Sequence, residues 1–548
     1  MPARVRRLLR NLLLLLCLSH PTGVRAQGQP VTAPPSEAQG NPVVTSDDRG
    51  GAFVSYKTAS LKLGAVHVNT AGIPDGRGDL GPFVPPIDLE AGLPPRVLAL
   101  RDTALRFAAD RASLGRPLLA QYRSNGQLMA GYPASLTTMP FRHPAMVPGR
   151  RGGTVLLAKD SDTTSFWTLR SAVLRADGQV DTLTEIRSSQ QFFNNDLIAA
   201  CRDSSGGMLA AMSFYDGVAT GSKEIGVIRV AADGSHPWGQ NLRIIVIATR
   251  DQTDVQVAPD GVGGMLMAWT DPRSNVVGRS TDIFAHHVNK DGFRVIGWSY
   301  YGSPLCDAPG AQSEPRMAPD GTGGAWVVWY DQRASVDGDL RITHVLSDGR
   351  FAPGFAVGGT VLCDAPGIQR ETAIVGDGGG GCFVVWRDHR NGDADVYAQH
   401  LTAAGSVAAG WEANGRAVCV APGTQDQPAI GAVLTGRAIV AWRDARTTPA
   451  RIYTAPLTDA TVVDAPPSAI TSLRLQPVGT RAVLVTLPSG EGTLELLDVA
   501  GRVLERTPLQ GPLTGTEHVL ANDLRPGLYF ARLRQGTAAA TARVTVLR

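Results

Sequence analysis

The chain of 548 residues carries 52 Lys and Arg against 49 Asp and Glu, which gives a formal net charge of +3. Five Arg and no acidic residue lie in residues 1–26, so the remaining 47 basic and 49 acidic residues have a net charge of −2, which excludes nucleic-acid binding through a basic surface. The 62 Gly and 37 Pro favour many short strands joined by turns, and therefore an all-β protein.

The N-terminus has the three parts of a cleavable signal peptide. Four Arg between residues 4 and 10 precede an apolar run at 12–18, and Val-Arg-Ala at 24–26 forms a cleavage pattern. The apolar run is shorter than the ~20 residues of a membrane-spanning helix, and we predict no transmembrane segment elsewhere. We therefore predict a Sec-type signal peptide at 1–26, cleaved after Ala26, and a secreted or outer-membrane-surface protein. A lipoprotein acylated at Cys17 is the alternative, but Leu16 stands where a small residue is expected.

A repeated segment occupies most of the chain. Leu305–Gln312, Leu362–Gln369 and Val418–Gln425 share the pattern apolar-Cys-x-Ala-Pro-Gly-x-Gln. Seventeen residues after each Gln stands a Trp followed by x-Asp-x-Arg, and Gln252 with Trp269 keeps this spacing. The four Trp are 60, 57 and 56 residues apart, and such a unit accommodates a four-stranded sheet.

Weaker copies bring the number of units to eight. They begin near Gly50, Leu105, Gly152 and Gly206. Eight four-stranded sheets in series predict a β-propeller, because each sheet buries its face against the next and closure removes long exposed edges. We place the propeller at 27–461, and seven blades are the alternative. The last unit stops after its third strand, and 31–35 resembles a fourth-strand segment, so we expect the mature N-terminus to complete the last blade.

The repeat resembles the TolB-type propeller repeat. The copies that carry this resemblance are Trp386–Ala398 and Trp269–Arg273 with Asp282–Ala285, in which Asp-x-Arg precedes Asp-Ile/Val-Tyr/Phe-Ala. It covers repeats five to seven well and repeat eight partly. The resemblance implies a propeller with a protein-interaction role, and it implies no reaction.

A second domain follows a Pro-containing linker at 462–468. Residues 469–548 contain about seven short strands, as in a small immunoglobulin-like β-sandwich. The segments Gly492–Val503, Leu524–Leu533 and Ala542–Arg548 resemble the C-terminal sorting domain of type IX secretion cargo and the related FlgD-like domain. That resemblance implies secretion machinery as a partner, although Arg543 and Arg548 stand where the sorting signal usually has Lys. An accessory sandwich without an export role is the alternative.

Both repeated polar motifs fall on one face of the predicted propeller and give a candidate ligand-binding ring. Its members are Asp271, Arg273, Asp331, Arg333, Asp388, Arg390, Asp444, Arg446, Gln252, Gln312, Gln369 and Gln425. The structural alternative is that each Asp caps its own turn and each Arg bridges to the next blade. Residues repeated in every copy generally serve the shared fold, which favours this alternative.

His and Cys residues also recur, but at positions that rotate with the blades. His67, His287, His344 and His400 occupy one repeat position and cannot converge on one metal ion. The repeated Cys residues also lie in different blades, too far apart for disulfides, and we interpret them as buried apolar residues: Cys306, Cys363 and Cys419. Two further Cys, Cys201 and Cys382, do not belong to this repeat position. HExxH, Gly-x-Ser-x-Gly and Walker-type motifs are absent, so we predict no catalytic residue, cofactor or metal.

Two functions fit these observations. The first is a secreted or surface-held binding protein whose propeller presents a site for a protein or glycan. The second is an extracellular polysaccharide hydrolase with carboxylates at the mouth of the central channel. The first expects Arg/Asp pairs that satisfy one another, whereas the second expects two or three unpaired carboxylates within ~5–10 Å.

Overall fold

A computed structural model of the chain contains two compact units, of which one comprises residues 25–459 and the other contains residues 460–548. The structure describes residues 28–31, 38–47, 50–59 and 63–75, the strands between 80 and 148, most of 149–459, and the strands between 474 and 546. The predicted leader and linker lie outside the described residues. Within the described residues, no helix has the length and hydropathy needed to cross a membrane.

The described part of the first unit contains short strands and one 3-10 helix, Arg150–Gly152. The strands are β1 Gln29–Pro30, β2 Gln39–Ser46, β3 Ala52–Thr58, β4 Leu63–Val68, β5 Leu80–Phe83, β6 Arg96–Leu100, β7 Ala104–Ala109, β8 Leu118–Arg123, β9 Ala134–Ser135, β10 Phe141–Pro148, β11 Thr154–Ser161, β12 Trp167–Leu174, β13 Val180–Ile186, β14 Ala199–Arg202, β15 Met208–Tyr215, β16 Lys223–Val230, β17 Arg243–Val246, β18 Thr253–Pro259, β19 Met265–Asp271, β20 Arg279–Val288, β21 Ser303–Cys306, β22 Gly310–Pro319, β23 Ala325–Asp331, β24 Asp339–Val345, β25 Thr360–Cys363, β26 Gln369–Gly376, β27 Cys382–Asn391, β28 Asp393–Leu401, β29 Arg416–Cys419, β30 Gln425–Leu434, β31 Arg437–Asp444 and β32 Arg451–Thr458.

These strands form eight antiparallel four-stranded blades. Blades 1 to 7 take four consecutive strands each, from β2–β5 to β26–β29, and blade 8 combines β30–β32 with β1. A short parallel pairing of β20 with β22 also joins blades 5 and 6. The first strand of each blade contacts the first strand of the next, and β2 contacts β30. The described strands therefore close into a ring of eight blades, as the repeat count predicts.

The N-terminal segment completes blade 8, as expected from the sequence, although the paired strand is Gln29–Pro30, just before the segment 31–35 that indicated it. Gln29 and Pro30 pair with Thr454 and Tyr453 of β32, and Val31 N donates to Ile452 O at 3.0 Å. Gly28 has φ +65°, and a Cβ there would lie 2.2 Å from Trp442 Cη2. Only a glycine fits beneath this Trp.

The core lies between the blades, because each sheet packs against a neighbour on both faces. The second strands are accordingly buried at every position in β19 and β23, without the alternation of a half-exposed strand. Trp269, Trp329, Trp386 and Trp442 are fully buried within this core. Replacing one such Trp by Ala would cost roughly 3–5 kcal/mol of stability.

We call the two faces of the ring front and back. The front face carries the loops from second to third strand and from outer strand to the next inner strand. The back face carries the loops from first to second and from third to outer strand.

The C-terminal unit contains β33 Arg474–Val478, β34 Arg481–Thr486, β35 Gly492–Leu497, β36 Val503–Leu509, β37 His518–Ala521, β38 Gly527–Gln535 and β39 Ala538–Val546. The strands form a three-stranded sheet, β33-β34-β37, and a four-stranded sheet, β36-β35-β38-β39. Contacts of β33 and β34 with β39 bring the two sheets together, as in a small β-sandwich. Leu496 and Glu495 are buried, and Arg506 pairs with Glu495 at 2.7 Å.

Candidate functional site

Each Trp-x-Asp-x-Arg segment forms a closed hydrogen-bonded unit on the front face. In blade 6, Asp331 Oδ1 accepts hydrogen bonds from Arg333 N (3.0 Å) and Nε (2.8 Å). Its Oδ2 accepts hydrogen bonds from Trp329 Nε1 (2.9 Å) and Arg333 Nη2 (2.7 Å). Burial of this carboxylate would raise its pKa, but the hydrogen bonds outweigh burial and lower the pKa of Asp331.

The same unit recurs in blades 7 and 8, and it recurs in blade 5 without the hydrogen bond from Arg Nε. The Trp Nε1 atoms donate to the carboxylates at 2.7–2.9 Å. The Arg side chains donate to the same carboxylates in the pairs Asp271 with Arg273, Asp388 with Arg390, and Asp444 with Arg446. Each carboxylate is fully buried, and each guanidinium is largely buried, so the polar groups of these pairs are used inside the fold.

In blades 6 to 8 the Arg also ties its blade to the preceding one. Arg333 Nη2 lies 2.7 Å from Sγ of Cys306, which stands in outer strand β21 of blade 5. The equivalent pairs, Arg390 with Cys363 and Arg446 with Cys419, are separated by 3.1 and 2.9 Å. The bridge therefore runs to the preceding blade, whereas the structural alternative expected the next one.

The five described cysteines are free thiols. Burial raises the pKa of the Cys306 and Cys419 thiols to about 11 and that of Cys363 to about 12. These side chains stay uncharged at neutral pH and act as packing residues.

The four repeated Gln side chains are buried where the front-face loops enter the inner strands. Their Nε2 atoms donate to backbone carbonyls of the preceding turn. The pairs are Gln252 with Arg250 O, Gln312 with Pro309 O (3.2 Å), Gln369 with Gly367 O (2.9 Å) and Gln425 with Gly423 O (2.8 Å). They fix the turns between blades. Ligand contact by these Gln and by the Asp/Arg pairs stays a prediction.

The structure brings together a second set of polar residues that the sequence reasoning missed. In blade 1 and in blades 5 to 8, the inner strand has a residue with φ between 49° and 56° within a shift of register. This residue stands two positions after the repeated Gln, whose place in blade 1 is taken by Gln39. The residues are Asn41, Asp254, Glu314, Glu371 and Gln427, and we call them the bulge ring. Left-handed backbone at a residue other than glycine is uncommon and concentrates at functional sites.

Hydrogen bonds link successive members of the bulge ring. Glu371 Oε2 accepts a hydrogen bond from Gln427 N at 2.8 Å, and Gln427 Oε1 accepts one from Asn41 N at 2.6 Å. Asp254 is exposed, and its Oδ2 accepts a hydrogen bond from Thr270 Oγ1 at 3.3 Å. Since all five residues lie at the front end of inner strands, the ring borders the mouth of the central channel.

Two carboxylates of the bulge ring are paired with Arg. Glu314 Oε1 lies 3.4 Å from Arg370 Nη1 across the blade boundary, and Glu371 Oε1 lies 2.8 Å from Arg387 Nη1. Both carboxylates are about one-third exposed. Each of these two carboxylates therefore already has a charged partner within the described part of the fold.

The repeated His residues lie on the back face, away from the bulge ring. Their Nε2 atoms lie 2.9–3.0 Å from Asp carboxylates of the neighbouring hairpin turn, in the pairs His67–Asp47, His287–Asp260, His344–Asp320 and His400–Asp377. Burial opposes ionisation of Asp320, but hydrogen bonds from His344, Thr322 and Gly324 outweigh it and lower its pKa to about 2. Each dyad belongs to one blade, and His287 Nδ1 also lies 2.7 Å from Ser347 O of the next blade, so these His residues serve the fold. Within the described part of the chain, His, Cys, Asp and Glu form no group of three that could hold a metal ion.

The fold defines the class of this protein as an eight-bladed β-propeller with a C-terminal β-sandwich. No protein-family model and no curated protein matches the chain. Solved structures similar to it include a protein of unknown function from Dyadobacter fermentans (12% identity, 59% of this chain and 98% of that chain, TM-score 0.34). A second is an α-L-arabinanase of Penicillium chrysogenum (12% identity, 59% of this chain and 94% of that chain, TM-score 0.34). A third is the NanB sialidase of Streptococcus pneumoniae (8% identity, 77% of this chain and 93% of that chain, TM-score 0.32). Similarity at this level assigns no activity to this chain.

Proposed function

We propose that the protein is an exported binding protein and that its ligand, a protein or a glycan, sits on the bulge ring at the mouth of the central channel. The observation that carries the proposal is a difference between two sets of polar residues on the front face, the Trp-x-Asp-x-Arg units and the bulge ring. The Trp-x-Asp-x-Arg units have the same motif residues in blades 5 to 8, and their Asp and Arg side chains pair with each other inside the fold. The bulge ring carries a different set of side chains, partly exposed, at one repeat position.

A binding site on a repeat fold has to break the symmetry of the repeat, because a ligand does not share it. The position two residues after the repeated Gln is Asn, Asp, Glu, Glu and Gln in the five blades of the ring. Its neighbours, the Gln and the Trp-x-Asp-x-Arg unit, keep their identity in blades 5 to 8. The bulge orients this variable side chain at the channel, and bulges commonly serve to re-aim a side chain.

The chemistry of the ring supports binding rather than hydrolysis. Glu314 and Glu371 have Arg partners, and the amides Asn41 and Gln427 offer both donors and acceptors. Such a mixed set can hydrogen-bond the hydroxyl groups of a glycan or the backbone of a protein loop. Within the described residues, Asp254 is the ring carboxylate without an Arg partner, and one carboxylate is too few for the paired mechanism.

Export completes the proposal. The leader pattern at 1–26 supports entry into the secretory pathway, and the motifs of residues 469–548 support sorting by the C-terminal domain. In this scheme the propeller acts as a secreted or surface-held receptor.

A glycan array and a polysaccharide hydrolysis screen on the chain from residue 27 onward test the proposed site. We expect binding without turnover, and we expect Glu314→Gln with Glu371→Gln to weaken binding by about tenfold or more, because a charged hydrogen-bonding partner is lost. Glu412→Gln, an exposed Glu on the back face, is the matched control and should bind normally. Hydrolysis of any polymer that disappears in the double variant would instead establish the hydrolase.

A further inference from the structure

The back face of blade 5 exposes large apolar side chains on the loop between its third and outer strands. Phe293 and Tyr300 are each 61% exposed, Ile296 is 95% exposed and Tyr301 is 50% exposed. We call these four residues the blade 5 patch. Val262, on the adjacent hairpin turn of the same face, is 72% exposed. Exposed apolar groups of this kind mark interaction sites when they are clustered.

The other blades show that the fold does not need these side chains. The same loop turn, closed by Gly292 N to Asn289 O (2.9 Å), recurs as Gly349 N to Leu346 O (3.0 Å) and Gly405 N to Thr402 O (2.8 Å). Aligned on these bonds, the positions of the blade 5 patch hold Arg350, Pro353, Val357 and Gly358 in blade 6, and Ser406, Ala409, Ala413 and Asn414 in blade 7. The equivalent loops keep these turn bonds, and the bonds Gly302 N to Ser299 O, Gly359 N to Ala356 O and Gly415 N to Glu412 O, with smaller or polar residues. The turns themselves therefore do not require the apolar side chains of blade 5.

The loop that carries the patch is held in place on both sides. Trp298 Nε1 donates to Ser347 O of blade 6 at 3.0 Å, and Trp238 Nε1 of blade 4 donates to Lys290 O at 2.8 Å. Gly297 lies so close to blade 6 that a Cβ would be 2.4 Å from Asp348 O. A patch on a loop fixed in this way is pre-organised, which reduces the entropy that binding would otherwise cost.

Two guanidinium groups border the patch. Arg243 lies over the Phe293 ring at 4.7 Å, and Arg294 lies over the Tyr300 ring at 4.1 Å. Within the described residues their hydrogen bonds go to backbone carbonyls, such as Gly292 O (2.8 Å) and Ile245 O (2.6 Å). Their positive charge is therefore not neutralised by a carboxylate of the described chain.

The charged pairs around the patch contrast with these two Arg. Lys290 is paired with Asp291 at 2.9 Å, and Arg350 of blade 6 is paired with Asp348 at 2.7 Å. Apolar and aromatic residues together with Arg, surrounded by satisfied polar pairs, are the composition of protein–protein interfaces.

We propose that the blade 5 patch, with Arg243 and Arg294, is a docking surface for a protein segment that combines apolar side chains with Asp or Glu. The apolar side chains of the partner cover Phe293, Ile296 and the two Tyr. Its carboxylates pair with the two guanidiniums. This surface lies on the back face and is independent of the bulge ring.

Selection of a phage-displayed random peptide library on the chain from residue 27 onward tests the proposal. The informative variant is Phe293→Ser, Ile296→Ala, Tyr300→Ala and Tyr301→Asn, which gives blade 5 the residues of blade 7. Val336→Ala, at an exposed Val of the front face of blade 6, is the matched control. Unchanged circular dichroism and thermal unfolding establish that the variants fold.

The enriched peptides should contain apolar residues together with Asp or Glu. They should bind the patch variant about 10- to 30-fold more weakly than the wild type or Val336→Ala, and more weakly as salt is raised. Absence of enrichment, peptides without acidic residues, or equal binding to the patch variant would overturn the proposal. So would self-association or glycan binding that the patch variant loses, because a second copy of this chain or a glycan would then be the occupant.

Discussion

His286→Gln is expected to reduce the loss of stability that the propeller undergoes as pH falls from about 6.5 to about 4. His286 lies in β20 with no solvent exposure, and its Nδ1 accepts a hydrogen bond from His287 N at 2.7 Å. Burial is the main reason its pKa is lowered to about 4, and the nearby positive charge of Arg294 adds to the effect.

The sign and size of the effect follow from proton binding. An unfolded chain protonates this His near pH 6.5, whereas the folded chain keeps it neutral until about pH 4. Between these values the unfolded state binds more protons, so the free energy of unfolding decreases as pH falls. At pH 4 the accumulated loss is about 3 kcal/mol for this one side chain.

Blade 7 provides the model for the variant, because Gln399 occupies the equivalent position. Its Oε1 accepts a hydrogen bond from His400 N at 3.1 Å, and its Nε2 donates to Glu412 O at 2.7 Å. A Gln at position 286 can therefore make the bond to His287 N without titrating.

Urea unfolding followed by Trp fluorescence at about pH 7.5 and about pH 4 measures the difference. Between these pH values the wild type should lose about 3 kcal/mol more than His286→Gln. His389→Gln, a partly exposed His on the front face, controls for the removal of a histidine and should behave as the wild type. Equal pH dependence of the wild type and His286→Gln would refute the reasoning, whatever their stabilities at pH 7.5.

Three further predictions concern the blade units, ring closure and export. Asp331→Asn leaves the Arg333 charge unneutralised in a largely buried site and should cost roughly 3–5 kcal/mol of stability. Asp348→Asn, at an exposed pair, should change stability by less than about 1 kcal/mol. Thermal unfolding of both variants tests this contrast, and equal effects would contradict it. Gly28→Ala should destabilise the ring by about 2 kcal/mol or more, because its Cβ meets Trp442 in left-handed backbone, while Gln29→Ala should have little effect on the unfolding midpoint. Deletion of residues 469–548 should leave the protein in the periplasm of its host, as followed by cell fractionation, and undiminished secretion would argue against the sorting role.

The repeat made the fold predictable, because a 57-residue unit leaves few arrangements other than a closed ring. Even the donated strand could be found, since Gly28-Gln-Pro-Val copies the Gly-x-x-apolar start of the later outer strands. The Trp-x-Asp-x-Arg units could be assigned to the fold by the argument that repeated residues serve it. The sequence could not show that their Arg side chains bridge to the preceding blade, because this direction depends on how adjacent blades are offset.

The bulge ring was missed for a physical reason. Left-handed backbone normally shows itself as Gly, and here it is adopted by Glu371 and its equivalents, whose side chains give no such signal. The available signal was a variable polar residue two positions after an invariant Gln. The blade 5 patch was equally hidden, because Phe293 and Ile296 look in sequence like core residues and only their exposure distinguishes them.

The donated N-terminal strand also affects when this molecule can finish folding. Thr454 Oγ1 donates to Gln29 O across 425 positions of sequence. Closing a loop of that length costs about 5 kcal/mol of chain entropy before the contacts of β1 compensate, and contacts this distant in sequence make folding slow. Blade 8 keeps an unpaired edge until both ends of the propeller sequence are present. The ring of this chain can therefore close only after β32 has been synthesised.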